Sequence, residues 1–303
     1  MISELSLNNN AFIDSKSANF GHLLYRVKDE KEQKKYVNRW NQHYVNSIKK
    51  SGPEELFKWN IRVHKSLKEI FTSVSFYQES LIAKESNSWS AFFFLSYYSL
   101  FHALLSCVVL IPTESIEKLS QITHTKLIKI FKSTFCDQAP NIIRGDVDEV
   151  FFLLKYMREY YSYNMPPNDF LYEQKENIKP DRAIPYFIRS CSQLASLHSE
   201  IIETATSKHH KEIPDMYHYQ DDVEHWYAML NCPKHPKTGE YILHHSDKIR
   251  MREALEYPQP VSFLTEFEHF SDEFRNYNGT EPPKYSNGTE IDPSIFVYNT
   301  IYR

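Results

Sequence analysis

Apolar residues recur at the spacing of an amphipathic helix through most of the chain. The clearest case is 51–84, SGPEELFKWNIRVHKSLKEIFTSVSFYQESLIAK, where Pro53 and two following acids are typical of a helix start. The same spacing predicts helices over 28–50, 146–163 and 181–207. Helices of this length, joined by short connections, predict an antiparallel all-α bundle.

One helical segment is far more apolar than the others. Residues 89–112, WSAFFFLSYYSLFHALLSCVVLIP, contain no Asp, Glu, Lys or Arg, and their length suits a membrane span. Four serines, two adjacent tyrosines and His102 interrupt the run, and the sequence has no second segment of this kind. These polar positions favour a buried central helix over a membrane span, so we expect no membrane association.

Charge and composition divide the chain into three predicted parts. Residues 1–50 form an irregular arm and a basic helix, since 26–50 holds eight Lys or Arg against three acids. The bundle follows over 51–208, and 209–303 is a smaller, mainly helical extension with a turn-rich tail. The net charge of the chain is −4. We therefore interpret the basic stretch 26–50 as a solvated helix face in preference to a phosphate-binding arm.

The cysteines and the N-terminus predict a reducing, cytoplasmic setting. Three of the four widely spaced cysteines lie in or beside apolar helical runs, as buried free thiols do. The first residues, MISELSLNNNAF, have neither the basic start nor the apolar core of a signal peptide.

Cys232 and His235, with His244 or His245, have the residue types of a zinc site. The prolines among them fit an ordinary turn, and we expect no metal and no cofactor.

Three short motifs carry the most specific chemistry. They are YYSLFHALL at 97–105, THTKL at 123–127 and LLKYMREYYSY at 153–163. In order and spacing they resemble the HEPN family of small helical bundles, in particular a branch with the motifs YYAxFHAxxALL, THxxL and RxxADY. The resemblance covers roughly residues 55–205, so the expected fold is an HEPN-like antiparallel bundle.

The resemblance also implies a chemistry. Catalytic HEPN proteins are metal-independent ribonucleases that dimerise and bring two Arg-x4–6-His motifs over one scissile phosphate. Arginine clamps the phosphate and stabilises the charged transition state, while histidine moves the proton of the attacking 2′-hydroxyl. Arg158 occupies the arginine position, although an arginine at a helix end also commonly covers the last carbonyls.

The second half of that motif is altered in this chain. The family spacing leads from Arg158 to Tyr163, Asn164 or Met165, none of which is histidine. Asn164 can orient a phosphate but cannot act as a general base near neutral pH. Glu159 follows the arginine directly, where its negative charge repels phosphate. We therefore take Arg158, Tyr163 and Asn164 as a degenerate catalytic motif.

Other residues offer substitutes for the missing histidine. His102 lies on the aromatic helix and His124 begins the THTKL helix, where Lys126 and Lys129 add positive charge. We take these four as candidate RNA contacts, although a single histidine in such a helix is more often a hydrogen-bonded structural residue. The neighbouring tyrosines either stack on bases or pack the bundle interior.

Two functions follow as expectations. The first is a non-catalytic or partner-regulated subunit of a prokaryotic defence or toxin-type system, which binds RNA or protein as a homodimer or hetero-complex. The alternative is a metal-independent endoribonuclease that uses Arg158 with a partner other than histidine. The first is preferred because the histidine of the motif is missing, and the defence setting rests on analogy with HEPN proteins.

Overall fold

The computed structural model describes residues 12, 18–164, 180–209, 216–267, 284–290 and 292–302. Within these ranges the regular secondary structure is helical, apart from two isolated antiparallel bridges. The α-helices are α1 (Gly21–Leu24), α2 (Glu30–Lys50), α3 (Glu54–Glu85), α4 (Trp89–Val108), α5 (Ile116–Ser120), α6 (His124–Phe131), α7 (Val147–Tyr163), α8 (Pro180–His209), α9 (Met216–Asn231), α10 (His245–Glu256) and α11 (Pro293–Ile301), and a π-helical turn, Lys132–Cys136, continues α6. The all-α prediction is confirmed.

Polar residues at the helix ends explain where several helices begin. The Asp29 side chain accepts a hydrogen bond from the amide of Lys31 at 2.9 Å at the start of α2. Thr123 does the same for the amide of Lys126 at 3.3 Å at the start of α6. Both are N-caps, which satisfy amides that have no partner inside the helix.

The apolar helix α4 is the centre of the bundle. It packs against α3 most extensively and also against α6, α7 and α8. Its length and composition would suit a membrane span, but 67% of its most apolar 18-residue stretch is buried inside the protein. The prediction of a buried central helix is therefore the better description of this segment.

Serines on α4 serve the contact with α3. The hydroxyls of Ser73 and Ser99 donate reciprocally to each other's backbone carbonyls at 2.7 and 2.8 Å. Ser66 donates to the carbonyl of Ser106 at 2.6 Å. Small side chains let the two backbones approach closely, and the buried hydroxyls of Ser66, Ser73 and Ser99 each have a partner. Of the four serines that interrupt the apolar run, Ser99 and Ser106 are thus part of the interface with α3.

One continuous apolar core joins the three predicted parts of the chain. It includes Trp40 from 1–50, Leu100 from α4 and Val297 from α11. Helix α2 packs on α8, and α11 packs on both α3 and α8. The boundaries at 50 and 208 stay predictions, but the flanking helices contribute directly to the core.

Gln193 on α8 forms hydrogen bonds with the segment before α2 and with α11. Its Oε1 accepts from the amide of His22 at 2.9 Å, and its Nε2 donates to the carbonyl of Thr300 at 3.0 Å. Beside it, the amide of Asn19 donates to the carbonyl of Ile301 at 2.6 Å. A single buried amide therefore links the region before α2 to α11.

The segment between α9 and α10 forms a tight turn. Lys234 and Tyr241 make an antiparallel bridge, and Gly239 has φ of +74°, which favours glycine. His235 Nδ1 accepts from the amides of Lys237 and Thr238 at 3.3 and 3.2 Å. The turn interpretation of CPKHPKTGEYILHH is therefore the appropriate one. Pro166 and Pro167, which follow α7 in the sequence and are typical of a helix end, lie outside the described residues.

Candidate functional site around Arg158

Arg158 lies on the face of α7 that meets α4. Its guanidinium carbon is 4.6 Å from the ring centroid of Tyr97 and 5.7 Å from that of Tyr98. Nη1 donates to the Tyr98 hydroxyl at 3.3 Å, and 18% of the side chain is exposed. Cation–π contacts hold the guanidinium against α4. Arg158 is therefore fixed on the aromatic surface of α4.

Glu159 already neutralises part of the charge on Arg158. Its Oε1 lies 3.1 Å from Arg158 Nη2 and 3.9 Å from Lys155 Nζ. The Glu159 side chain is 45% exposed, so the pair is screened by solvent and weak. An anion that binds Arg158 has to displace this carboxylate, which can rotate into solvent.

His124 lies beside the same tyrosine as Arg158. Its Nδ1 is 2.5 Å from the Tyr97 hydroxyl, and the two rings stack with an angle of 16°. Burial lowers the pKa of His124, and the positive charges of Arg158 and Lys155 lower it further. Burial raises the pKa of Tyr97, so the tyrosine keeps its proton. Near neutral pH the site thus holds an uncharged imidazole next to a guanidinium.

His102 faces the same surface from the other side of Tyr98. The Tyr98 and His102 ring centroids are 6.4 Å apart, and the Phe101 ring lies 5.3 Å from His102 and 4.6 Å from His124. The Nδ1 atom of His102 is hydrogen-bonded to Glu69 Oε2. The two histidines and Arg158 therefore all lie against the ring of Tyr98.

Glu69 is a charged residue inside the bundle that sequence reasoning missed. Its other oxygen, Oε1, lies 2.6 Å from Lys65 Nζ, and its side chain is 4% exposed. Burial alone would raise the pKa of this carboxyl, but Lys65 and the hydrogen bond with His102 lower it to about 2. The signal in the sequence was an acid beside Ile70 and Phe71, on the apolar face of a helix.

The remaining predicted site residues lie apart from this cluster. Tyr163, the last residue of α7, is 80% exposed, and Asn164 follows it as the C-cap. Five residues of α-helix rotate a side chain by about 140° from Arg158, which places Tyr163 away from α4. Lys126 and Lys129 are exposed on α6. The structure brings Arg158 and His124 together and leaves Tyr163 in solvent.

Comparison with protein-family models, with curated proteins and with solved structures finds no match for this chain. Among the described residues, no three His, Cys, Asp or Glu side chains converge as a metal site would require.

Proposed function

We propose that the protein is an HEPN-like subunit of a cytoplasmic prokaryotic defence or toxin-type system, in which the surface around Arg158 binds RNA under the control of a protein partner. One observation carries the proposal: the guanidinium of Arg158 is held by Tyr97 and Tyr98 beside an uncharged histidine. The succession of α3, α4, α7 and α8 in one bundle supports the HEPN-like arrangement that the three motifs predict.

The arrangement suits recognition of a phosphodiester. Guanidinium binds phosphate through two parallel hydrogen bonds, and a guanidinium already held by aromatic rings loses little freedom when it does so. The exposed Lys126 and Lys129 add positive charge on α6. The half-buried rings of Tyr98 and Phe101 offer faces on which unpaired bases can stack.

Arg158→Ala is expected to weaken binding of single-stranded RNA by about tenfold or more, because a charge-assisted, bidentate contact is lost. The slope of log affinity against log salt should fall by about one unit, as expected for the loss of one phosphate contact. Fluorescence anisotropy with labelled RNA at several salt concentrations measures both quantities. Arg252→Ala is the matched control, since Arg252 is 70% exposed on α10. Equal affinities for Arg158→Ala and the parent protein would contradict the proposal.

Glu159→Gln is expected to tighten RNA binding by about three- to tenfold, because it removes both the competitor for Arg158 and a repulsive charge. The same anisotropy measurement tests this prediction. Glu253→Gln is the control, since Glu253 is a similarly exposed acid that pairs with Arg250 on α10. A weaker complex for Glu159→Gln than for the parent would show that Glu159 supports binding.

A metal-independent endoribonuclease is the second candidate function. The observation that favours it is the presence of His102 and His124 on the surface that holds Arg158, because either imidazole can carry a proton where Tyr163 and Asn164 cannot. Mixed RNA incubated with the protein in EDTA should then be cut, and Arg158→Ala should abolish cutting. Light scattering after size exclusion shows whether the active species is a homodimer or a complex with a partner.

A further inference from the structure

A buried carboxylate holds one histidine of the site in a single orientation. Glu69 lies in the interface between α3 and α4, with one oxygen on Lys65 and the other on His102. The His102 side chain is 20% exposed, whereas that of Glu69 is 4% exposed. The result is a row of three groups, Lys65, Glu69 and His102, in which the central carboxylate is the most buried and His102 lies at the end beside Tyr98.

Packing alone does not explain an acid at this position. Leu67, Ile70 and Phe71, its neighbours on α3, are apolar and buried, and a leucine would fill the same space without a charge. Burying an ion pair seldom adds net stability compared with apolar side chains of similar size. The charge is therefore better explained by what it does to His102.

The hydrogen bond fixes the tautomer of His102. An ionised carboxylate only accepts hydrogen bonds, so Nδ1 of His102 carries the proton and the neutral ring keeps its lone pair on Nε2. Edge-to-face contacts with Phe76 at 5.4 Å and Phe101 at 5.3 Å hold the ring plane. A histidine oriented through Nδ1 by a carboxylate is the arrangement that makes Nε2 an effective base.

We infer that Glu69 and His102 form a proton-transfer dyad for RNA bound at Arg158, with His102 as the catalytic residue and Glu69 as its positioning residue. The inference rests on the proposed RNA site and gives the second candidate function its base. Tyr98 lies between the two groups, since it accepts a hydrogen bond from Arg158 and its ring faces His102. A nucleotide whose phosphate is held by Arg158 can extend across Tyr98 to His102.

The reaction is a transesterification within the RNA chain. His102 Nε2 takes the proton of the 2′-hydroxyl, the 2′-oxygen forms a bond to phosphorus, and the bond from phosphorus to the 5′-oxygen breaks. The imidazolium returns the same proton, through water, to the departing 5′-oxygen. The products are a 2′,3′-cyclic phosphate and a 5′-hydroxyl, so atoms and charge balance without a metal or a redox partner.

His124 is less suited to this step than His102. Its Nδ1 meets the hydroxyl of Tyr97, which keeps its proton and carries no charge to stabilise an imidazolium. Glu69 supplies that charge to His102. The ionisable groups around the two histidines are Lys65 and Glu69 on α3, and Lys155, Arg158 and Glu159 on α7.

The test separates binding from cleavage in the full-length protein. Single-stranded RNA of mixed sequence is incubated in EDTA, and its affinity is measured with an analogue in which every 2′-hydroxyl is replaced by hydrogen. His102→Gln is expected to slow cleavage by about 100-fold or more and to change affinity by less than about twofold. Glu69→Gln is expected to slow cleavage by about tenfold, because an uncharged amide still orients the ring. His43→Gln, an exposed site on α2, should match the parent protein.

A spectroscopic measurement reports the dyad without reference to activity. Nitrogen-15 NMR of the free protein should show the Nδ1-protonated tautomer for His102, and Glu69→Leu should remove that preference. If RNA binds but the parent does not cut it, or His102→Gln cuts at the parent rate, the dyad is refuted while the binding function stands. If RNA does not bind at all, the proposed function fails and the dyad fails with it. A mixture of tautomers in the parent would also refute the dyad.

Discussion

Replacing Arg62 with methionine is expected to lower the free energy of unfolding by about 3–5 kcal/mol. Arg62 is 5% exposed on α3. Its Nε donates to the carbonyl of Val109 at 2.6 Å, and its Nη2 donates to those of Ile111 and Glu114 at 2.7 and 2.6 Å. Methionine fills part of the space but removes the guanidinium from these carbonyls, at the end of α4 and just beyond it. The carbonyl of Ile111 keeps the amide of Glu114 as a donor at 3.2 Å, whereas those of Val109 and Glu114 lose the donor that Arg62 supplies. The loss of several charge-assisted hydrogen bonds explains the size of the effect.

Urea denaturation followed by circular dichroism measures this change in stability. The free energy of unfolding of Arg62→Lys should lie between those of the parent and Arg62→Met. An ammonium keeps the charge but lacks the planar guanidinium that reaches several carbonyls at once. Arg252→Met is the matched control and should change the free energy of unfolding by less than about 0.5 kcal/mol, since that side chain is 70% exposed. A loss of less than about 1 kcal/mol for Arg62→Met would show that water replaces the guanidinium.

The second large effect is a loss of stability in mild acid through His198. This histidine is 2% exposed on α8, where its Nε2 lies 2.8 Å from the Tyr36 hydroxyl and its Nδ1 lies 2.7 Å from that of Tyr44. The Tyr44 hydroxyl donates to the carbonyl of Leu110 at 2.9 Å, so its oxygen accepts from Nδ1. In the neutral ring Nε2 is then the acceptor for the Tyr36 hydroxyl, so both ring nitrogens have a partner, and protonation of Nε2 would take this acceptor away from Tyr36.

Burial, together with the smaller effect of the positive charge on Arg39, lowers the pKa of His198 to about 3. Between this value and the unfolded pKa of 6.5, the unfolded chain binds a proton that the native protein does not. Stability is therefore fully retained above pH 6.5 and declines as the pH falls toward 3. At pH 4.5, two units below the unfolded pKa, the loss is about 2.7 kcal/mol. His64, also buried with a lowered pKa, acts in the same direction.

Urea denaturation at intervals from pH 7 to pH 4.5 measures the predicted decline. His198→Gln should be less stable than the parent at pH 7. Its free energy of unfolding should fall less steeply as the pH is lowered, because unfolding of the variant takes up about one proton fewer than unfolding of the parent. His43→Gln should keep the slope of the parent protein, because His43 is exposed. If His198→Gln and the parent have parallel pH profiles, His198 is already protonated in the native state.

The helical fold could be predicted from the sequence because its helices are amphipathic and their ends carry standard signals. The prediction over 28–50 agrees with α2, and the apolar run 89–112 contains α4. Arg62 and Glu69 could not be placed, because each lies among apolar residues on α3 and its role depends on groups more than 30 residues away. Helical periodicity identifies a buried face but does not reveal a hydrogen bond to another helix.

The candidate site was only half predictable for the same reason. Arg158 and His124 were named from motifs, but their common contact with Tyr97 depends on how α4, α6 and α7 pack. Tyr163 and Asn164 were named from their spacing along the chain alone. Spacing ignores the direction in which a helical residue points, and Tyr163 is 80% exposed.

The link through Gln193 sets an order for folding during synthesis. The segment around Asn19 and His22 leaves the ribosome early. Helix α11, which Gln193 links to this segment, is made about 270 residues later. At typical rates of synthesis this delay lasts roughly 14–54 s. Throughout that time the early segment can contact only parts of the chain made before α11, such as Gln33 of α2, Asn141 and α8, so its docking stays incomplete until α11 emerges.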